Sequence, residues 1–564
     1  MTLADIRFVA IAIAVGLIVS VQSEFRLFLT TSAIITAILA RSVGFLYSDA
    51  RMVSLCQVSL AGIGGWTVGW FALHTPVPVE LALVLGGTVA VPIGVLVGVP
   101  ALRLRGVDFA IVTLGLAAAI QITVFNRGFP GERENFLVPR PSIAASELRF
   151  LWFTLLVALV LELGLRALRR QAVGTTWAMV GQSERSTAAA GRSIVLTKLT
   201  AFAVSAFVAG IAGGLLAMQV GRVSARQLEP IDSLVIFALI VMAGSAAALG
   251  AAIAGALSAW IPELLRMLGW SQDIGPLVFA VGAAYVLSQD GDGIAGQWIA
   301  LASKFRRRPR NSHSSERETL KCRRPDSRDL SLVVRDLTVD YGSVRAVDGV
   351  SIDVAPGRIV GLIGANGAGK SSLVDAVTGY LAAAEGTVHL GARPLHSLNA
   401  HQRARAGLAR TFQRERTPTR LSVHNYLAVA ARRHTTMEQR DWLLAQFDLP
   451  GSDTPIAQLD SAARRRLELV AALSSVPAAA LVDEPAAGLT DAESQLLGSA
   501  LSRVAGEWGI GLLIIEHDLR LISDVCETIV VLEQGRAIAE GPTAATLASE
   551  EVVASYLGMD WQST

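Results

Sequence analysis

Long apolar runs fill the first 302 residues of this chain and then stop, and no other feature limits its folding so strongly. They lie near 8–22, 27–47, 52–73, 80–99, 108–126, 149–165, 199–219, 233–245, 249–262 and 273–289. Most are long enough to cross a hydrocarbon core of about 30 Å, where only helices or closed barrels can satisfy the backbone. About ten crossing helices are therefore expected. The 233–245 and 249–262 pair is short and glycine-interrupted, a pattern tolerated where helices face protein or a water-filled path. No convincing small-residue cleavage site follows 8–22, which reads as a first membrane helix rather than a removed signal peptide.

Across 564 residues, 52% are apolar and 17% charged, too greasy a balance for a wholly water-soluble protein. The excess is uneven, and 331–564 has the composition of an ordinary soluble domain. Three parts are expected: a membrane domain at 1–302, a basic cytoplasmic linker at 303–330 and a soluble domain at 331–564. The linker is nearly devoid of apolar residues and reads as a tether beside anionic lipid headgroups. A net charge of +2 gives no global basic field, which argues against nucleic acid as a partner. Cys56, Cys322 and Cys526 lie far apart and suggest neither a disulfide framework nor a metal site.

Basic residues set the expected orientation. Lys304, Arg306, Arg307, Arg308 and Arg310 crowd past the last span, and Arg166, Arg169, Arg170, Arg185, Arg192 and Lys198 fill the loop at about 166–198. Both regions should be cytoplasmic by the positive-inside rule, and the same parity puts Arg51, Arg103 and Arg105 inside. Gly65 and Gly69, like Gly210 and Gly214, sit four apart and allow close helix approach. Ser54, Gln57, Ser59, Thr113 and Gln121 are polar groups within apolar segments, suited to interhelical hydrogen bonds or to lining a pathway. The 166–198 loop reads as a compact, partly helical excursion, either a solvated connector or a short helix that docks on the soluble domain and passes on its motion.

Within the soluble part, Gly364-Ala365-Asn366-Gly367-Ala368-Gly369-Lys370-Ser371 fits the phosphate loop of nucleotide triphosphatases. Its glycines let successive N–H groups turn inward as an anion nest, with Lys370 reaching the β- and γ-phosphates and Ser371 holding Mg²⁺. The context is a strand at 358–363 and a helix at 372–380 whose N-terminus faces the phosphates. Gly364, Asn366, Gly367, Gly369, Lys370, Ser371 and Ser372 are thus candidate nucleotide contacts. An apolar strand at 478–482 ends in Asp483-Glu484, placing Asp483 to hold Mg²⁺ and Glu484 to polarise an attacking water. His517 follows another strand and is suited to sensing the γ-phosphate or to a structural role.

Tyr341, Gly364–Ser371, Gln413, Asp483-Glu484 and His517 occur in the order and approximate spacing of an ABC transporter nucleotide-binding domain. Gly407-Leu408-Ala409-Arg410-Thr411-Phe412-Gln413 and Asp483-Glu484-Pro485-Ala486-Ala487-Gly488-Leu489 resemble the ATPases of branched-chain amino acid importers. The stretches 100–115 and 198–214 resemble the permease of the same systems. The resemblance implies a multispanning α-helical permease followed by an α/β P-loop ABC domain, fused in one polypeptide of the cell membrane. It further implies ATP and Mg²⁺ as ligands, with Ser371, Gln413 and Asp483 at the metal. Tyr341 would stack on adenine, Gln413 would link Mg²⁺ to the membrane domain, Glu484 would be the catalytic base and His517 the switch. Partners would be a second permease, a second ATPase and an extracytoplasmic solute-binding protein, and 166–198 would be the coupling segment.

Two departures from the family pattern stand out. The signature, normally close to L-S-G-G-Q, is here Leu459-Asp460-Ser461-Ala462-Ala463, and Thr490 is unusual in the D-loop. A carboxylate facing a nucleotide across a dimer interface repels it, so Asp460, Ser461 and Ala462 predict an impaired site on the partner's phosphate loop and hence a heterodimer. In the permease part, Cys56-Gln57 replaces the usual Gly-His pair. The expected cargo is a branched-chain or other apolar amino acid, with urea, short amides or small organic acids as the alternative. A regulatory membrane protein that binds ATP with impaired hydrolysis is the further one.

Overall fold

The computed structural model describes residues 3–304 and 330–553, except 103, 105, 131–135, 223, 225, 226, 273, 290–292, 414–416 and 433. Arg103, Arg105, Arg306–Arg308, Arg310, Cys322 and nearly all of the expected linker lie outside the described residues. Two compact units emerge, one from 1–177 with 195–311 and the other from 178–194 with 312–564.

Every expected apolar run of the first unit contains a helix, but among the described residues fewer qualify as membrane spans than expected. Among the described residues six helices are long and apolar enough to cross, against about ten expected: Glu24–Ala50, Val79–Leu96, Gly106–Arg127, Glu147–Arg170, Ile194–Val220 and Ala248–Met267. Asp232–Ala243 and Ile274–Ser288 are shorter apolar helices. Gln57–His74 is diluted by its glycines and polar ends. The segment expected at 249–262 extends to Met267 and is therefore not short, and a helix unforeseen in the sequence, Gly293–Lys304, follows the last run.

Small residues set the helix spacing. A Cβ built on Gly213 would meet the Ala61 carbonyl oxygen at 1.7 Å, and one on Gly64 would meet that of Gly210 at 2.0 Å. Gly65, Gly210 and Gly214 are similarly crowded, whereas Gly69 has ordinary contacts only. Residues 51–56 are not helical, yet Ser54, Leu55 and Cys56 are buried. Irregular backbone there needs partners within the protein. The Thr113 hydroxyl accepts from the Leu55 N–H at 3.0 Å, and Gln57 Nε2 donates to Ser205 Oγ at 3.1 Å. Buried Arg41 pairs with Glu162 at 2.9 Å, as a charge inside a spanning helix requires.

The second unit holds two sheets. Strands β1 (Leu332–Tyr341), β2 (Val344–Val354), β4 (Glu385–Leu390) and β5 (Arg393–Pro394) form an antiparallel sheet in the order β2-β1-β4-β5. The larger sheet runs β10-β9-β3-β8-β7-β6, from β3 (Ile359–Gly364), β6 (Leu408–Arg410), β7 (Ala479–Asp483), β8 (Gly511–Ile515), β9 (Thr528–Glu533) and β10 (Arg536–Pro542). All its pairings are parallel except the β10 edge. β3, β7 and β8 are buried throughout, and their apolar runs reflect burial on both faces. Parallel order brings the carboxyl ends of these strands together, where such sheets bind ligands.

Candidate nucleotide site

β3 runs directly into the glycine-rich loop, and the helix Lys370–Thr378 starts at its lysine. Gly369 has φ 99°, and a Cβ there would lie 2.3 Å from the Ala346 carbonyl oxygen, so both conformation and space demand glycine. Asn366 and Gly367 form an exposed tip, Ser371 is exposed and Ser372 half-buried. Lys370 Nζ donates to the carbonyls of Gly364 at 2.5 Å and Ala365 at 3.0 Å, folding over its own loop. Burial pushes its pKa down, opposed by the carboxylates of Glu484 and Asp483.

Those carboxylates end β7, whose Asp483 lies in register with Ile515 of β8. Asp483 is buried, and burial pushes its carboxyl up to about 6 against the pull of Arg410. Its backbone N–H donates to Thr411 Oγ1 at 3.2 Å, tying β7 to the segment that leads to Gln413. Glu484 adopts φ 44°, a left-handed conformation unusual for a non-glycine residue and often found at functional sites. Its N–H donates to the Ile515 carbonyl at 2.8 Å, and its Oε1 accepts from Gln413 Nε2 at 2.9 Å. Beyond β8, buried Glu516 accepts from the backbone N–H of Ala486 at 2.8 Å and of His517 at 3.0 Å.

Lys370, Gln413, Asp483 and Glu484 thus converge. His517 is exposed, with Nδ1 3.6 Å from Glu516, and Tyr341 is half exposed at the end of β1. The signature residues open a different helix, Ser461–Ser474. Asp460 is its N-cap, and the carboxylate accepts from the Ala463 N–H at 2.7 Å. The substituted acid therefore satisfies a donor of its own helix. Thr490 gains a reason as well, since it caps the helix Asp491–Trp508 in a reciprocal capping box with Glu493.

Three residues that sequence reasoning did not single out also belong to this region. Arg465 donates to the carbonyls of Gln413 and Ala487, joining the signature helix to both flanks of Glu484. Buried Arg410 pairs with Asp375 on the phosphate-loop helix and lies 3.9 Å from Asp483. A single cation ending an apolar strand was the available signal for Arg410.

The segment 178–194 packs within this same unit. Helix Glu147–Arg170 continues further, and the next long helix begins earlier, than the expected 166–198 loop allowed. Between them lie Ala172–Gln182 and the short helix Glu184–Ala189. Met179 joins the apolar core around β3, β7 and β8. The Tyr380 hydroxyl donates to the Arg185 carbonyl at 2.7 Å, and Arg405 Nε donates to that of Gly191 at 2.8 Å.

Residues 25–283 match the family model described as branched-chain amino acid transport system / permease component, and 347–487 match the one described as ABC transporter. The chain is 30% identical over 248 residues to the high-affinity branched-chain amino acid transport ATP-binding protein BraF of Pseudomonas aeruginosa, covering 40% of this chain and 97% of that protein. LivG of Escherichia coli, of the same description, is also 30% identical with the same coverage. Among solved structures, a nucleotide-free ATP-binding cassette from an ABC transporter aligns with TM-score 0.37 and 25% identity, over 40% of this chain and 98% of that one.

Proposed function

The chain belongs to the branched-chain amino acid ABC transporter family, with a permease component and an ATP-binding component in one polypeptide, and from there we propose that it imports a branched-chain or other apolar amino acid across the cell membrane. It is an ATP hydrolase that drives transport. The observation that carries the reading is the grouping of 178–194, flanked in sequence by apolar helices, with the ATP-binding unit. A movement at the nucleotide therefore has a physical connection to helices of the permease part.

The site residues divide the work. The loop N–H groups and Lys370 hold the phosphates, and Tyr341 stacks on the base. Glu484 orients the attacking water, with Gln413 holding its carboxylate and His517 reaching the γ-phosphate from the end of β8. Ser371, Gln413 and Asp483 would hold Mg²⁺, which supplies charge neutralisation at the phosphates when bound. Their oxygens suit a hard cation, and the buried Asp483 carboxyl, pushed up to about 6 by burial, gains most from one.

Partners of the general kind follow from the family: further permease and ATPase subunits and a solute-binding protein. In an ABC dimer each nucleotide lies between one phosphate loop and the other subunit's signature. The self-capped Asp460 at this chain's signature supports a heterodimer with one competent and one impaired site. The alternative cargo, urea or a short amide, is favoured by the buried amide of Gln57 beside Ser205. Uptake by liposomes containing the chain and its companion subunits decides between them. Labelled leucine, isoleucine or valine should accumulate only with ATP inside and the solute-binding protein outside. Accumulation of labelled urea instead assigns the alternative.

A further inference from the structure

Four charges of alternating sign run from the carboxylate that ends β7 to the segment 178–194. Arg410 NH2 lies 3.9 Å from Asp483 Oδ2, while its NH1 contacts Asp375 Oδ1. The other oxygen of Asp375, Oδ2, lies 3.5 Å from Arg185 NH1. Tyr380 sits beside this line. Its ring receives the Arg410 guanidinium at 5.3 Å and the Arg185 guanidinium at 5.6 Å, and its hydroxyl donates to the Arg185 carbonyl at 2.7 Å. We propose that Arg410 and Asp375 are positioning residues that carry the state of Asp483 to Arg185, a second route from nucleotide to coupling segment beside Gln413.

The physical basis is competition for charge. Arg410 has two carboxylates within reach, and Asp375 has two guanidiniums. The Arg410 side chain is only 5% exposed, so its attractions are poorly screened, whereas that of Arg185 is 48% exposed and more weakly held. A cation taken up by Asp483 weakens that carboxylate's pull on Arg410. Arg410 then commits to Asp375, and Asp375 loosens its hold on Arg185. Arg410 NH1 also donates to Thr378 Oγ1 at 3.0 Å and the guanidinium lies 4.9 Å over the Phe412 ring, while its buried Nε has no hydrogen-bond partner among the described residues. A pair serving stability alone would end at Asp375. This line continues to the one part of the unit that comes from the permease half of the sequence.

The inference rests on the assignment of Asp483 to the nucleotide's metal, and its test separates the two. The full chain with its companion subunits is placed in nanodiscs, with Glu484→Gln so that ATP stays intact. Hydrogen exchange is then followed in peptides covering 183–192, with ATP plus magnesium and with ATP plus chelator. Magnesium should change exchange there by about threefold or more. Adding Arg185→Gln should cut that change to less than about half while ATP affinity stays within about twofold, and Arg185→Lys should restore it. Asp375→Asn should behave like Arg185→Gln. Because Asp375→Asn also touches buried Arg410, the exposed Arg185 variants and Tyr380→Phe carry the test if it misfolds. A parent that binds magnesium and ATP but gives the same response in Arg185→Gln overturns the route alone. A parent that binds neither overturns both the route and the site assignment.

Discussion

Glu484 keeps a strained backbone angle while its carboxylate is gripped by Gln413, so its position is built rather than incidental. Replacing it with Gln removes the charge proposed to polarise water but keeps the shape. Hydrolysis by the assembled transporter should fall at least about 100-fold with ATP binding retained, as phosphate release and nucleotide filter binding would show. Substantial turnover in Glu484→Gln would refute its role as the base. Asp460 works in the other direction. Converting Asp460 to Ser and Ala462 to Gly should raise turnover modestly, about two- to threefold, as the proposed impairment of the partner's site requires. Serine also keeps the helix cap, so Asp460→Ser should melt close to the parent, whereas Asp460→Ala should lose about 1 kcal/mol. Equal turnover in the repaired chain would mean that the signature does not limit the cycle.

At the scale of elements, what could be read from the sequence depended on how local the cause was. The strand, loop and helix around Lys370 were legible because each is set by adjacent residues: an apolar run, glycines, and a helix opened by the lysine. Asp483-Glu484 was legible for the same reason. The Arg410–Asp375 pair was not, because its partners are 35 residues apart and meet only when β6 joins the sheet. Most helices of the permease part were likewise plain, although Gly293–Lys304 was not, and the helices over 233–245 and 273–289 proved short, at Asp232–Ala243 and Ile274–Ser288, because apolar runs do not fix where a helix ends. Packing there is now testable. Gly213→Ala would drive a methyl into the Ala61 carbonyl and should cost on the order of 2–3 kcal/mol, lowering the thermal midpoint of the purified protein. Gly115→Ala, which meets nothing within 4 Å, should leave it unchanged and serves as the control.

For the whole molecule, the sequence announced a membrane part and an ATPase part but not where the boundary between them runs. Composition changes near residue 302, yet the ATP-binding unit also claims 178–194, because Met179 fills its core and Arg185, Ser186 and Gly191 meet its side chains. No composition rule finds a seventeen-residue piece of one unit embedded in the sequence of another. The consequence concerns assembly. Ribosomes finish this piece well before the catalytic part exists, so the later-made part must fold onto a seat already anchored in the bilayer. Produced from two genes, as 1–310 and 330–564, the fragments should therefore find each other and co-purify through an affinity tag on either one. Mutating Arg185, Arg405 and Tyr380 together should let them drift apart.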